Sequence, residues 1–106
     1  MKITKLSEAL NVPFALDGKV MVKSDEIEII HLRLRPGEKL EKHFNPFDTV
    51  FYILEGESII ETHERIINAE PDMVIELSQS TERSVENKGS TDFRMLVIKK
   101  LQTINK

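Results

Sequence analysis

Arg35-Pro36-Gly37-Glu38-Lys39-Leu40-Glu41-Lys42-His43-Phe44-Asn45-Pro46-Phe47-Asp48-Thr49-Val50-Phe51-Tyr52-Ile53-Leu54-Glu55-Gly56-Glu57 is the most informative stretch of this 106-residue chain. Pro36-Gly37 is a turn signal: proline presets φ and glycine tolerates positive φ. An extended segment follows and ends at a lone histidine, His43. A short loop then leads into 49–54, an apolar run of strand length that stops at Glu55-Gly56. Two strands bracketed by turns are therefore written into one short stretch.

The same punctuation continues on both sides. Strands are predicted at 19–23, 26–35, 40–43, 49–54, 57–62, 65–67, 73–76, 83–86 and 93–101. Turns are predicted at Asp17-Gly18, Ser24-Asp25, Pro36-Gly37, Glu55-Gly56, Pro71-Asp72 and Asn87-Lys88-Gly89-Ser90. Many short strands at this spacing predict an all-β sandwich or barrel. The one helix candidate is Leu6-Ser7-Glu8-Ala9-Leu10, a peripheral turn ahead of Pro13.

Two strands are apolar on both faces. In 49–54, Phe51 and Ile53 alternate with Val50, Tyr52 and Leu54; in 93–98, Phe93, Met95 and Val97 alternate with Leu96 and Ile98. A strand with one solvated face should alternate apolar with polar. A second apolar face needs its own cover, and the expected cover is a second copy in a homodimer. The alternative cover is the N-terminal thirty residues.

Composition bounds the function. Forty per cent hydrophobic and 31% charged residues suit one soluble domain spanning 1–106. A net charge of −3 argues against a nucleic-acid partner. No run approaches the ~18 apolar residues of a membrane helix, and residues 1–7 lack the apolar core of a signal peptide. The absence of cysteine removes disulfides, thiolate metal sites and cysteine nucleophiles. A cytoplasmic protein is expected.

The segment 35–57 resembles the first signature of the cupin family, with Gly37, His43 and Gly56 in their places. Pro71-Asp72-Met73-Val74-Ile75 resembles the opening of the second signature, with Pro71 in a glycine slot. Leu77 and Gln79 take the slots of a proline and a glycine. The resemblance covers roughly 30–100 and implies a double-stranded β-helix, or jelly-roll barrel. Residues 1–25 would pack on that barrel as a strand and short helix. Phe51, Ile53, Met73, Ile75, Val85, Met95 and Val97 are expected in its interior.

The resemblance also implies a metal site of three imidazoles and one carboxylate. Here His43 keeps its slot, while Asn45 and Thr49 replace a histidine and a glutamate. The last slot falls on Glu82 by direct counting, or on Arg83 when the alignment is anchored at Asn87. Strand parity favours Arg83, because a face shared with Val85 is a better inward face than one carrying Glu82, Ser84 and Glu86. Arginine has no lone pair to donate, and Asn and Thr are poor neutral ligands.

The expected site is therefore metal-free, with no cofactor. His43, Asn45, Thr49 and Arg83 would bind a small polar or anionic ligand through the guanidinium. A divalent metal held by His43, Asn45, Asp48 and Glu82 is the alternative ligand set. It would make the protein a metal-dependent isomerase- or oxygenase-like enzyme. Metal-free acid–base catalysis through His43 is a further enzymatic alternative. In another alternative Arg83 pairs with an internal acid such as Glu41, the barrel is filled, and the chain is a dimeric interaction protein. His31 is expected on a solvated or subunit-facing surface, and His63 in an exposed hairpin connection.

Overall fold

The computed structural model describes residues 1–101. A short 3-10 turn, Leu6–Glu8, precedes ten strands: β1 Leu10–Asn11, β2 Asp17–Lys23, β3 Ile27–Leu34, β4 Lys39–His43, β5 Asp48–Glu55, β6 Ser58–Thr62, β7 Ile66–Ala69, β8 Val74–Leu77, β9 Arg83–Glu86 and β10 Phe93–Lys100. All pairings are antiparallel. They form a six-stranded sheet, β1-β2-β3-β10-β5-β8, and a four-stranded sheet, β4-β9-β6-β7.

The period-2 alternation puts the apolar residues of each strand on one face, and these faces meet in a common core. Ile30, Leu32 and Leu34 of β3, Phe51 and Ile53 of β5 and Phe93, Met95 and Val97 of β10 are buried there, with Ile60 and Val85 of the smaller sheet. Met73 and Ile75 are half-buried and pack against this cluster at its rim. The register explains the arrangement: Met95 lies opposite both Leu32 and Ile53, so three central strands point matching residues inward.

Two glycines answer specific geometric needs. Gly56 has φ +77, and a Cβ there would meet the Asp92 carbonyl oxygen at 2.2 Å. Only glycine allows the β5–β6 turn to pass this close to the start of β10. Gly18 corrects the prediction of a turn at Asp17-Gly18, since both residues lie within β2. A Cβ at Gly18 would meet Val12 Cγ2 at 2.8 Å, and Val12 N donates to Gly18 O. The glycine serves close packing of the returning chain.

The N-terminal region also differs from expectation. The helical turn ends at Glu8, and Leu10–Asn11 pairs instead with β2. β1 and β2 lengthen the large sheet at its edge by backbone hydrogen bonds and do not lie across its outer face. That face carries half-buried Val50, Tyr52, Leu54, Leu96 and Ile98, with Val74 exposed beside them. His31, expected on a solvated or subunit-facing surface, is buried within the single chain on this face. It lies opposite Lys19 and Leu96 in the neighbouring strands, and Arg94 Nε donates to its Nε2 at 3.3 Å.

Candidate functional site

Strand β9 supplies the central group. Arg83, Val85 and Asn87 are buried and Glu82 is exposed, as expected of an inward-facing Arg83, but Ser84, expected on the Glu82 face, is buried as well. Asn87 anchors the far end of this strand. Its amide nitrogen donates to the carbonyls of Leu34 and Thr91, and its Oδ1 accepts from Gly89 N.

The Arg83 side chain is 1% exposed. Nη1 donates to the Thr81 carbonyl at 3.0 Å and Nη2 to Thr49 Oγ1 at 3.4 Å. Nε is buried without a partner. The guanidinium carbon lies 5.8 Å from the centroid of the Phe51 ring, an attractive placement for a cation. Burial lowers the Arg83 pKa from the usual arginine range, yet a guanidinium keeps its proton in proteins. No ion pair joins Arg83 to a carboxylate among the described residues. Glu41, considered above as its partner, is exposed and lies 3.9 Å from Lys39.

Thr49 extends the network. Its hydroxyl accepts from Arg83 and has two acceptors within reach, Phe47 O at 3.2 Å and Asn45 Oδ1 at 3.5 Å. Asn45 Oδ1 also accepts from Phe47 N. Arg83, Thr49 and Asn45 thus form one continuous chain of polar contacts. His43 stands opposite Arg83 in the β4–β9 register. Its Nδ1 lies 2.9 Å from Glu41 O, so the imidazole is tied to its own strand.

Asp48 and Glu82 sit elsewhere. Asp48 is exposed, and its Oδ1 accepts from Gln79 N at 2.8 Å. With Ser80 N donating to Asn45 O at 3.0 Å, this ties the turn after β8 to the loop before β5. The Asp48 carboxylate is therefore engaged in loop closure. No group of three or more His, Asp or Glu side chains able to hold a metal occurs among the described residues. A permanent cation, two neutral oxygen donors and one imidazole do not fit a first-row metal.

Sequence reasoning missed two neighbours of the guanidinium and an adjoining groove. Thr81 offers its carbonyl to Arg83, and Thr62 lies opposite Arg83 across β6–β9. Both residues line a groove of about 610 Å³ between the edge strands β7 and β8. The available signal was parity: Thr62 ends a strand whose Ser58 and Ile60 are inward. His63, expected to be exposed, is exposed.

A sequence family described as a cupin domain matches residues 30–99, and this chain belongs to the cupin family. The tetracenomycin polyketide synthase protein TcmJ of Streptomyces glaucescens is 27% identical over 67 residues. That match covers 62% of this chain and 45% of TcmJ, so the chain spans under half of that relative's length. Among solved structures, a predicted oxalate decarboxylase from Thermotoga maritima superposes with a TM-score of 0.84 at 17% identity, covering 95% of this chain and 100% of that one. The polyketide cyclase RemF from Streptomyces resistomycificus superposes with a TM-score of 0.84 at 14% identity, covering 96% of this chain and 80% of that one. These likenesses show a double-stranded β-helix fold. No helix of the described residues is long and apolar enough to cross a membrane.

Proposed function

We propose that this cupin binds a small anionic molecule inside its barrel, at Arg83, and does so without a metal ion. One observation carries the reading: a buried guanidinium has an unpartnered Nε and no carboxylate paired with it. Removing an ion from water costs several kcal/mol, and an unpaired buried charge leaves that cost uncompensated. An arriving carboxylate or phosphate supplies the missing counter-charge and accepts from Nε. The Thr49 hydroxyl and Asn45 amide are the neutral groups that orient it. His43 stands opposite Arg83 in the β4–β9 register and makes its hydrogen bond within its own strand.

The test is a titration with a small carboxylate such as acetate, followed by NMR at the Arg83 Nε–H. A saturable shift of that resonance is expected. Failure of the resonance to move at saturating carboxylate would refute the reading.

A second reading is acid–base catalysis through His43. The contact of Nδ1 with a backbone carbonyl favours it, because a proton held there leaves Nε2 as the free base. A structural relative described as a polyketide cyclase is in keeping with enzymes on this fold. A His43→Gln variant that keeps anion binding but abolishes turnover would identify this role.

The protein further acts, in this proposal, as a homodimer. The half-buried apolar row Val50, Tyr52, Leu54, Leu96 and Ile98 has no covering layer from β1 or β2, and a second copy buries it across a two-fold axis.

A further inference from the structure

The groove between β7 and β8 shares neighbours with the Arg83 site, and its chemistry selects for more than negative charge. Its lining is mixed, with Ile67, Met73, Ile75 and Leu77 supplying apolar side chains. Hydroxyl groups of Thr62, Ser78 and Thr81 also line it. Three lining residues connect directly to the buried polar pair. Thr62 lies opposite Arg83 across β6–β9, the Thr81 carbonyl accepts from Arg83 Nη1, and Leu77 lies opposite Thr49 across β5–β8. The unpartnered Nε of Arg83 is thus a buried donor held by residues whose neighbours line this groove.

The remaining charges set the polarity of the occupant. Glu64 and Glu76 line the groove with Arg65 as the single cation, so a second anionic group there meets net negative charge. The volume, about 610 Å³, falls within the roughly 300–1,000 Å³ of small-molecule sites. β7 and β8 are the free edges of their sheets, so the trough can widen without breaking a ladder hydrogen bond.

We infer that the groove takes an elongated monocarboxylate. The carboxylate head sits at Arg83 beside the threonine hydroxyls, and an uncharged apolar body lies along Ile67, Met73 and Ile75. This rests on the reading of Arg83 as the anion site and adds the class of molecule. Entry displaces the turn at Ser78–Thr81, which two hydrogen bonds tie to the facing loop, Ser80 N to Asn45 O and Gln79 N to Asp48 Oδ1.

Calorimetric titration of the protein with acetate, butyrate, hexanoate and octanoate, and with neutral octanol, tests the assignment. Full burial of a methylene corresponds to about fourfold in affinity, and a half-open groove to about twofold. Affinity is expected to rise about twofold with each methylene, and octanol to bind at least tenfold more weakly than octanoate. Arg83→Met should erase the octanoate–octanol difference, and Met73→Gln should flatten the chain-length trend. Acetate binding that depends on Arg83 but does not tighten along the series would overturn the groove assignment and leave the anion reading intact. Absence of binding by every acid, or equal binding of octanoate to wild type and Arg83→Met, would overturn both.

Discussion

Arg83 Nη2 donates to Thr49 Oγ1 across 3.4 Å, joining β9 of the small sheet to β5 of the large one through the barrel interior. Both side chains are 1% exposed. The pair stands in two of the slots where the family resemblance implies metal ligands, and in the proposed reading a fixed cation and a hydroxyl take the place of a coordination sphere. Such an exchange would keep a positive centre in the barrel without the donor atoms a metal needs.

The first expectation concerns Arg83→Met. A buried charge without a partner opposes folding, and an apolar side chain of similar length fills the same space over Phe51. Urea unfolding should show stability unchanged or raised by about 1 kcal/mol. Carboxylate affinity in the same variant should fall by about 1.5–3 kcal/mol, the range of a hydrogen bond to a charged group. A stability loss of several kcal/mol would instead mark Arg83 as a structural residue.

Gly56→Ala should be among the most damaging single-methyl additions. The positive φ disfavours any Cβ, and the Asp92 carbonyl already occupies its place. A loss of about 2 kcal/mol or more is expected. Gly37 also has positive φ, but a Cβ there meets nothing within 4 Å. Gly37→Ala should therefore cost about 1–2 kcal/mol. Equal losses at the two sites, read by thermal unfolding, would show that the close approach to Asp92 is unimportant.

His31 gives the fold a pH dependence of known sign. Its pKa is lowered from the ordinary 6.5, first by burial, then by the Arg94 and Arg33 cations, with Asp17 opposing them. Lys19 is its register partner in β2. The cations are in turn paired, Arg33 with Asp92 and Arg94 with Glu55. Because the unfolded chain takes up the proton more readily, this contribution to stability is present above about pH 6.5 and is lost as pH falls below it. Denaturant unfolding at pH 7.5 and 5.5 should show wild type losing more stability than His31→Gln. An identical loss in both would place the pH dependence elsewhere.

The outer face of β5 and β10 should control assembly. Val50→Glu puts a charge in the middle of the apolar row without touching the core. Sedimentation should give a dimer for wild type at micromolar concentration and a monomer for the variant. A wild-type monomer would contradict the assembly and leave the apolar face unexplained.

The strands were legible because their alternation and turn residues are local properties. Thr49, Phe51 and Ile53 are inward for the same reason that Val50 and Tyr52 are outward. Parity likewise favours Arg83 over Glu82, and Arg83 is buried where Glu82 is exposed, while Ser84 is buried against the same parity. Non-local effects were not legible. Nothing in Asp17-Gly18 distinguishes a turn from a strand packed against Val12, because the deciding contact comes from residues brought back by β1. His31 reads as a surface residue until Arg94, far away in sequence, is laid beside it. The groove between β7 and β8 depends on two sheet edges meeting, which no single segment encodes.

The central claim, that Arg83 supplies the positive charge of this site in place of a metal, is tested most directly by elemental analysis of the protein purified without a histidine tag or chelator. First-row metals are expected at far below one equivalent per chain, because only His43 offers a good donor. One equivalent of bound metal, lost in His43→Ala, would contradict the claim and make His43, Asn45, Asp48 and Glu82 the ligand set to examine.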